Sequence, residues 1–96
     1  MIDFSKNFFV YGLGVSGLSV IKFLRNYRYV FKAYDDDNNN KIKLLEKKEI
    51  CKKEDLLKNL EEVSYICISP SISIRNHPIL LKFKHKIILD LDILGS

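Results

Sequence analysis

Apolar and polar positions follow two different periods along the chain. Short, nearly continuous apolar runs occupy residues 7–12, 29–34, 63–68 and 86–89, as is typical of strands buried on both faces of a parallel sheet. Between these runs, apolar side chains recur at every third or fourth position, the spacing of one helix face. The clearest example covers 16–27, where Leu18, Ile21 and Leu24 fall on one side. The pattern predicts strands that alternate with helices.

The remaining connections carry weaker helical patterns. A lysine-rich helix is predicted over 41–48 and a shorter helix over 53–60. Either Asn76 or His77 caps a further helix, because Pro78 fits a first turn, where its missing N–H costs little. Residues 90–96 form either a short fifth element or the beginning of a linker.

The alternation of strand and helix with short connections determines the expected fold class. It favours an α/β fold, a Rossmann-like parallel sheet of four to five strands with right-handed crossovers and helices on both faces. The chain has 96 residues, of which 47% are hydrophobic and 29% charged, so we expect one small globular domain.

Charge and composition narrow the possible partners. The net charge is +4, but lysines and carboxylates are interleaved over 41–58, so no segregated basic patch indicates nucleic-acid binding. No apolar run approaches the roughly 20 residues that span a bilayer, and the first residues lack the pattern of a signal peptide. We therefore expect a cytoplasmic, monomeric protein that makes no membrane contact. Cys51 and Cys67 lie in unrelated contexts, which favours two free thiols and no metal site.

The segment Gly-Leu-Gly-Val-Ser-Gly at 12–17 follows the first predicted strand and leads into the first predicted helix. In such a turn Gly12 allows a tight bend, Gly14 lets the backbone approach a pyrophosphate, and Gly17 allows the helix to pack closely on the strand. The N–H groups at the helix N-terminus then face the anion. Ser16 is a candidate both to donate to a phosphate and to cap the helix. The segment predicts a nucleotide-phosphate site.

Three predicted strand ends carry unusual residues. They are the glycine turn, the acidic run at 35–37, and Ser-Pro-Ser at 69–71. Ligands of parallel α/β sheets lie at the carboxyl ends of the strands, so we expect these three segments to meet at one site. The acidic run alone is also compatible with a solvated turn, because Asp and Asn favour turns.

With these positions placed, the chain resembles the N-terminal domain of the Mur ligases of peptidoglycan synthesis, and most closely the branch that adds D-glutamate. Four stretches in order carry the resemblance, which covers essentially the whole chain. They are Gly-Leu-Gly-Val-Ser-Gly-Leu-Ser at 12–19, Tyr-Asp-Asp at 34–36, Ile-Ser-Pro-Ser-Ile at 68–72 and Asp-Leu-Asp-Ile-Leu at 90–94.

The resemblance implies that the domain binds UDP-N-acetylmuramoyl-L-alanine through its uridine diphosphate end. By this resemblance, the backbone of Gly14, Val15, Ser16 and Gly17 meets the pyrophosphate, Asp35 and Asp36 meet the uridine, and Ser69, Pro70 and Ser71 line the other side.

The resemblance also implies chemistry that this chain does not carry. The parent ligases use ATP and Mg²⁺ in a central domain and fix the amino acid with a C-terminal domain. The four glycines here, at 12, 14, 17 and 95, cannot form a P-loop. We expect residues 1–96 to bind substrate without catalysis, with the missing domains in a parent chain or supplied in trans.

At two positions the sequence departs from the family pattern, and two other functions remain compatible with it. Ser71 stands where the family has glycine, which would strain the backbone if φ were positive there, and Leu89 stands where glycine usually precedes Asp90. A small NAD(P)-binding module is one alternative, because Asp35 follows Gly17 by eighteen residues, close to the spacing of a ribose-binding carboxylate. A non-catalytic remnant that binds nothing tightly is the other.

Overall fold

The computed structural model describes residues 2–37 and 40–95. It contains a strand or helix at each of the following positions: β1 (Phe8–Tyr11), α1 (Val15–Asn26), β2 (Phe31–Tyr34), α2 (Leu56–Glu62), β3 (Tyr65–Ile68), α3 (Pro78–Lys82), β4 (Ile87–Leu89) and α4 (Asp90–Leu94). Short 3-10 turns occupy Asn40–Leu44, Lys47–Glu49, Lys53–Asp55, Ile74–Asn76 and Lys84–Lys86. None of the helices in this part of the chain is long and apolar enough to cross a membrane.

The four strands form one parallel sheet in the order β2-β1-β3-β4. Val10 lies opposite Ala33 on one side and Cys67 on the other, so β1 is central and β2 is an edge strand. The prediction of a Rossmann-like parallel α/β sheet is confirmed, with four strands. The carboxyl ends of β1, β2 and β3 all point to the same edge, which is the edge that holds the predicted ligand site.

Two hydrophobic layers cover the sheet, as the apolar runs predict. Phe8 and Val10 of β1 belong to a core shared with α1 and with Ile93 of α4. Phe9 and Tyr11, which alternate with them, belong to the opposite core, shared with α2, α3 and with Ile66 and Ile68 of β3. Because successive side chains of a strand point to opposite faces, a wholly apolar strand requires helices on both sides.

The connection from β2 to α2 differs from the sequence prediction. The single helix predicted over 41–48 is wrong, since this segment consists of the 3-10 turns Asn40–Leu44 and Lys47–Glu49. The chain then runs beside the β2 edge, where the Cys51 amide donates to the Ala33 carbonyl at 2.9 Å. A continuous helix could not bring its backbone amide to that edge, because its N–H groups bond within the helix.

The other helix predictions need smaller changes. The helix predicted over 53–60 begins later, as a 3-10 turn followed by α2 at Leu56–Glu62. His77 caps α3 and Pro78 occupies its first position, which confirms the second of the two proposed caps. Of the two alternatives for 90–96, the structure has the short element, α4, which packs against α1.

Candidate functional site at the carboxyl edge of the sheet

The glycine turn between β1 and α1 has a backbone that only glycine fits at two positions. Gly12 has φ of 101°, a conformation that side-chain-bearing residues rarely adopt. A Cβ on Gly17 would lie 2.0 Å from the Gly12 carbonyl oxygen, so α1 packs directly on the turn. These two glycines have the roles predicted from the sequence, the tight bend and the close packing of helix on strand.

The middle glycine is different. Gly14 has ordinary dihedral angles, φ −73° and ψ −169°, and a Cβ placed on it would meet no atom within 4 Å. Gly14 is the N-cap of α1, and its carbonyl accepts the first helical bond, from the Leu18 amide at 2.9 Å. The amides of Val15, Ser16 and Gly17 precede that bond, so they lack intrahelical acceptors and face outward from a helix N-terminus.

Ser16 lies one residue inside α1. The prediction that Ser16 caps the helix is wrong, because Gly14 is the N-cap and receives no side-chain hydrogen bond. The Ser16 hydroxyl makes no hydrogen bond with the part of the chain that the structure describes. It remains a free donor in the first turn, next to the outward-facing amides.

Asp35 connects the end of β2 to the glycine turn. Its Oδ2 accepts a hydrogen bond from the Leu13 amide at 2.6 Å, and its Oδ1 accepts one from the Asp37 amide at 2.8 Å. The Leu13 side chain is fully buried, so this bond satisfies a backbone donor beside the core. Asp35 therefore sets the relative position of the two loops.

Asp36 is held by two aromatic side chains from other elements. The Tyr11 hydroxyl donates to Asp36 Oδ1 at 2.6 Å, and His77 Nε2 lies 2.8 Å from Asp36 Oδ2. His77 Nδ1 accepts from the Leu80 amide at 3.4 Å, so Nε2 carries the proton and donates to Asp36. Burial, reinforced by the Asp36 carboxylate, raises the pKa of Tyr11 above its ordinary value, which keeps the hydroxyl protonated.

The loop that follows β3, residues 69–72, lies next to the glycine turn. Ser69 Oγ and Ser71 Oγ are 2.9 Å apart, and the Ile72 amide donates to the Ser69 carbonyl at 3.0 Å. A Cβ placed on Gly12 would lie only 3.2 Å from Ile72 Cδ1, so the loop after β3 lies close to the glycine turn. Among the non-glycine residues described, Arg28 alone has positive φ, so Ser71 causes no backbone strain in place of glycine.

A cavity of about 470 Å³ adjoins the acidic loop on the outer side of β2. Tyr34, Asp35 and Asp36 form one wall, and Ile42, Lys52 and Lys53 contribute to the other. The lining combines an aromatic side chain, carboxylates and lysines with apolar side chains, a mixture that suits a planar polar ring such as a nucleobase.

The structure thus brings together all three segments that the sequence singled out. The backbone of 14–17, the Asp35 and Asp36 carboxylates, and the loop Ser69, Pro70 and Ser71 share one edge of the sheet. Sequence reasoning treated His77 as a helix cap only, and it assigned no role at this edge to Tyr11 or to the side chain of Tyr34. His77 is 41 residues from Asp36, and no sequence signal connects them.

The ATP and Mg²⁺ implied for the parent ligases do not fit these residues. The described residues contain no group of three or more His, Cys, Asp or Glu side chains arranged to hold a metal. The glycine turn also lacks the Gly-Lys-Ser or Gly-Lys-Thr of a phosphate loop, since Gly17 is followed by Leu18.

Comparison with known proteins gives the family. The chain matches none of the curated proteins with which it was compared. Residues 6–89 match the family model described as Mur ligase MurD-like, N-terminal domain, which spans β1 through β4 and every loop of the site. The chain therefore belongs to the MurD-like N-terminal domains of the Mur ligase family.

Proposed function

We propose that this domain binds the uridine diphosphate end of UDP-N-acetylmuramoyl-L-alanine, as the N-terminal domain of a ligase that adds D-glutamate. The family associates the chain with the ATP-dependent ligases of peptidoglycan synthesis, whose N-terminal domains bind UDP-N-acetylmuramoyl substrates in general. The particular substrate and the amino acid added belong to the proposal.

The open space at Gly14 is the observation that carries the proposal. A Cβ there would meet no protein atom within 4 Å, while the outward amides of Val15, Ser16 and Gly17 follow directly. A pyrophosphate placed against Gly14 receives those N–H groups and the Ser16 hydroxyl, together with the positive end of the α1 dipole. Val15 is 83% exposed, so its side chain borders the ligand without blocking it.

The acidic loop and its cavity support the placement of the uridine. Asp35 and Asp36 lie at the end of the strand next to the glycine turn, and both border the 470 Å³ cavity. A nucleoside extending from the pyrophosphate toward β2 reaches these carboxylates and the face of Tyr34. Ser69, Pro70 and Ser71 border the turn on its β3 side, where the remainder of the substrate leaves the nucleotide.

The domain binds but does not catalyse in this proposal. Formation of an amide from a carboxylate requires activation of that carboxylate. The glycine turn lacks the pattern of an ATP-binding phosphate loop, and the described residues contain no group of three or more His, Cys, Asp or Glu side chains that could hold a metal. The ATP-binding and amino-acid-binding domains belong to a parent chain or to a separate chain acting in trans. We propose that the domain itself is monomeric and cytoplasmic.

The proposal is tested by NMR titration of the chain with UDP-N-acetylmuramoyl-L-alanine, UDP and NADH in parallel. We expect the amides of residues 14–17 and of Asp35 to shift with the two uridine ligands and not with NADH. Shifts with NADH alone would indicate a dinucleotide-binding module, and no shift with any ligand would indicate a remnant without a working site.

Gly14→Val adds a direct test of the pyrophosphate position. The Cβ of the new side chain meets no protein atom within 4 Å, so we expect the fold to be retained and UDP binding to be lost. Val30→Ala, which shortens an exposed side chain just before β2 and outside the site, is the control and should keep its affinity. Unchanged UDP affinity in Gly14→Val would place the pyrophosphate elsewhere.

A further inference from the structure

We propose that the amino-terminal half of the β2 edge binds an extended acidic segment of another polypeptide, which adds to the sheet as a strand beside Phe31. This surface lies at the end of β2 opposite to the carboxyl edge, so its role does not depend on the proposed function. An open strand edge, a cleft beside that edge and cationic side chains around the cleft support the proposal.

The hydrogen bonds between β1 and β2 show which backbone groups of β2 face outward. The Phe8 amide donates to the Val30 carbonyl at 3.0 Å, and the Gly12 amide donates to the Tyr34 carbonyl at 2.8 Å. The two strands are parallel and in register between these bonds, so every second residue of β2 directs its N–H and C=O to β1. The N–H and C=O of Phe31 therefore point away from β1, toward the outer edge.

The long connection covers this outer edge only in part. At Ala33 the edge is paired, because the Cys51 amide donates to the Ala33 carbonyl at 2.9 Å and Ile50 forms the bridge. No hydrogen bond from the described residues reaches the outward N–H and C=O of Phe31, two residues earlier. Unpaired backbone groups on an edge strand are a template for the addition of a further strand.

A cleft of about 450 Å³ lies beside the unpaired part of the edge. Its lining comes from the end of α1 and the turn after it, from the start of β2, and from the long connection. Phe31 contributes to the lining, so the cleft gives access to the edge at this residue. Val30, also in the lining, is 62% exposed and offers an apolar contact for a side chain of the added strand.

The cleft also contains two carboxylates, and both are paired. Arg25 Nη2 lies 2.6 Å from Glu49 Oε1, and Lys48 Nζ lies 3.5 Å from Glu46 Oε2. All four side chains line the cleft. These two pairs contribute no net charge to it.

The remaining charged side chains of the lining are Arg28 and Lys32. Lys32 Nζ donates to the Lys48 carbonyl at 3.0 Å, and neither cation has a carboxylate partner among the described residues. The cleft therefore carries an excess of positive charge, next to backbone groups that are free to pair. An extended segment with carboxylate side chains complements both features.

Arg28 occupies a backbone position that ordinarily favours glycine. Its φ is 58°, and the Tyr29 amide donates back to the Leu24 carbonyl at 2.9 Å to close the end of α1. The carbonyl end of a helix favours a cation nearby, so Arg28 also has a possible structural role there. A substitution that changes binding and stability in opposite directions separates the two roles.

The probes are two capped hexapeptides, one alternating glutamate with valine and one alternating lysine with valine. Each is titrated into the isotope-labelled chain and followed by NMR. We expect the glutamate peptide to shift the amides of residues 29–32, to slow solvent exchange of the Phe31 amide, and to bind about tenfold more tightly than the lysine peptide at low salt. Free glutamate at the same concentration should leave those amides unshifted.

Arg28→Gly separates binding from folding. It removes the guanidinium and supplies the residue that a positive φ favours, so the denaturation midpoint should not fall. We expect the affinity for the glutamate peptide to fall about fivefold. Lys32→Gln should lower it by a similar factor, and Lys58→Gln, the same change on the exposed face of α2, should leave it unchanged.

Equal affinity for the two peptides would overturn the proposal, as would unchanged affinity in both Arg28→Gly and Lys32→Gln. Three further outcomes would overturn it by naming another occupant or another site. The same shifts with free glutamate would indicate a site for small anions, and shifts of residues 29–32 on concentrating the chain alone would indicate a second copy. Shifts confined to residues 14–17 would place the acidic peptide at the helix N-terminus.

Discussion

Two connections leave the carboxyl edge of the sheet on neighbouring strands, and they are built in different ways. The first, residues 12–14, joins β1 to α1 and is determined by its own backbone, with φ of 101° at Gly12 and close packing at Gly17. The second, residues 35–55, joins β2 to α2 and contains, in its described part, 3-10 turns and a single bridge from Ile50 to Ala33 of β2. Its conformation depends on a residue outside it.

That residue is Arg25, on α1. Its Nη2 lies 2.6 Å from Glu49 Oε1 and its Nε lies 3.0 Å from Oε2, a two-pronged ion pair. The Glu46 amide also donates to Glu49 at 2.8 Å, and Arg25 Nη2 donates to the Leu44 carbonyl at 3.3 Å. Glu49 is 3% exposed, the only buried charged residue of the described chain.

The difference between the connections shows where a ligand site needs precision. The short turn places backbone amides, and its geometry leaves little freedom. The long connection forms one wall of the cavity beside Asp36, and it is held by a side-chain pair that bridges α1 and the β2 edge. We expect damage to the first to affect the whole fold, and damage to the second to act locally.

Gly17→Ala should have the largest effect. The new Cβ would lie 2.0 Å from the Gly12 carbonyl oxygen, a backbone atom that cannot move without displacing α1 from β1. We expect the free energy of unfolding to fall by more than about 4 kcal/mol, enough to unfold a domain of this size. Circular dichroism and urea denaturation measure it.

Gly14→Ala is the matched control for this prediction. It makes the same chemical change three residues earlier, where a Cβ meets nothing within 4 Å and φ is −73°. Its stability should lie within about 0.5 kcal/mol of the wild type. Similar stabilities for the two variants would mean that the turn is not the rigid element described above.

Arg25→Met should have the next largest effect. It leaves the Glu49 carboxylate buried without its cation, while methionine preserves much of the aliphatic contact. We expect a loss of about 2 kcal/mol at neutral pH, less than for a fully buried pair because 40% of the Arg25 side chain is exposed. Denaturation at low and high salt measures the loss.

The pH dependence of the stability of Arg25→Met tests whether the Glu49 carboxylate is the source of the loss. Burial alone would raise the pKa of Glu49, but the hydrogen bonds from Arg25 and the Glu46 amide hold it below its ordinary value of 4.5. Because the pKa of Glu49 is lower in the folded state than in the unfolded chain, its ionised carboxylate stabilises the fold in full above pH 4.5. This stabilisation is lost as the pH falls through the lowered pKa. The gap between wild type and Arg25→Met should therefore narrow below pH 4.5, and a constant gap would exclude Glu49 as its source.

The same contrast explains what the sequence could predict. The turn was predictable because the roles of Gly12 and Gly17 depend on local backbone geometry. The sheet was predictable because continuous apolar runs indicate strands that are buried on both faces. The long connection was mistaken for a helix because Ile42 and Leu45 have helical spacing, while the Arg25 to Glu49 pair joins residues 24 apart. The contact of Asp36 with His77 escaped prediction for the same reason.

Asp35→Ala should have a smaller effect that involves both connections. The Asp35 carboxylate accepts hydrogen bonds from the Leu13 amide, in the connection from β1 to α1, and from the Asp37 amide, in the connection from β2 to α2. The substitution removes both bonds. We expect a loss of about 1–2 kcal/mol, since water can reach part of the vacated site. Asp37→Ala is the control, because the Asp37 carboxylate makes no hydrogen bond or ion pair with the described residues. Equal denaturation midpoints for the two variants would contradict the bracing role of Asp35.

The smallest effect is a difference in thiol reactivity that leaves stability unchanged. Cys51 lies where the long connection meets β2, and Cys67 lies in β3; both are buried. Burial, with nearby Asp55, raises the pKa of Cys51, and burial, with Asp90 and Asp92, raises that of Cys67 to about 12. Both thiols should react slowly with a disulfide reagent at pH 8.

Local opening decides which thiol reacts first. Release of the long connection exposes Cys51 without unfolding the sheet, whereas exposure of Cys67 requires separation of β3 from its neighbours. We expect Cys51 to be modified several times faster than Cys67, as followed by mass spectrometry of the two peptides, and Arg25→Met to accelerate Cys51 more than Cys67. Equal rates in both proteins would mean that the long connection opens only when the whole domain unfolds, and that the ion pair does not give it a separate stability.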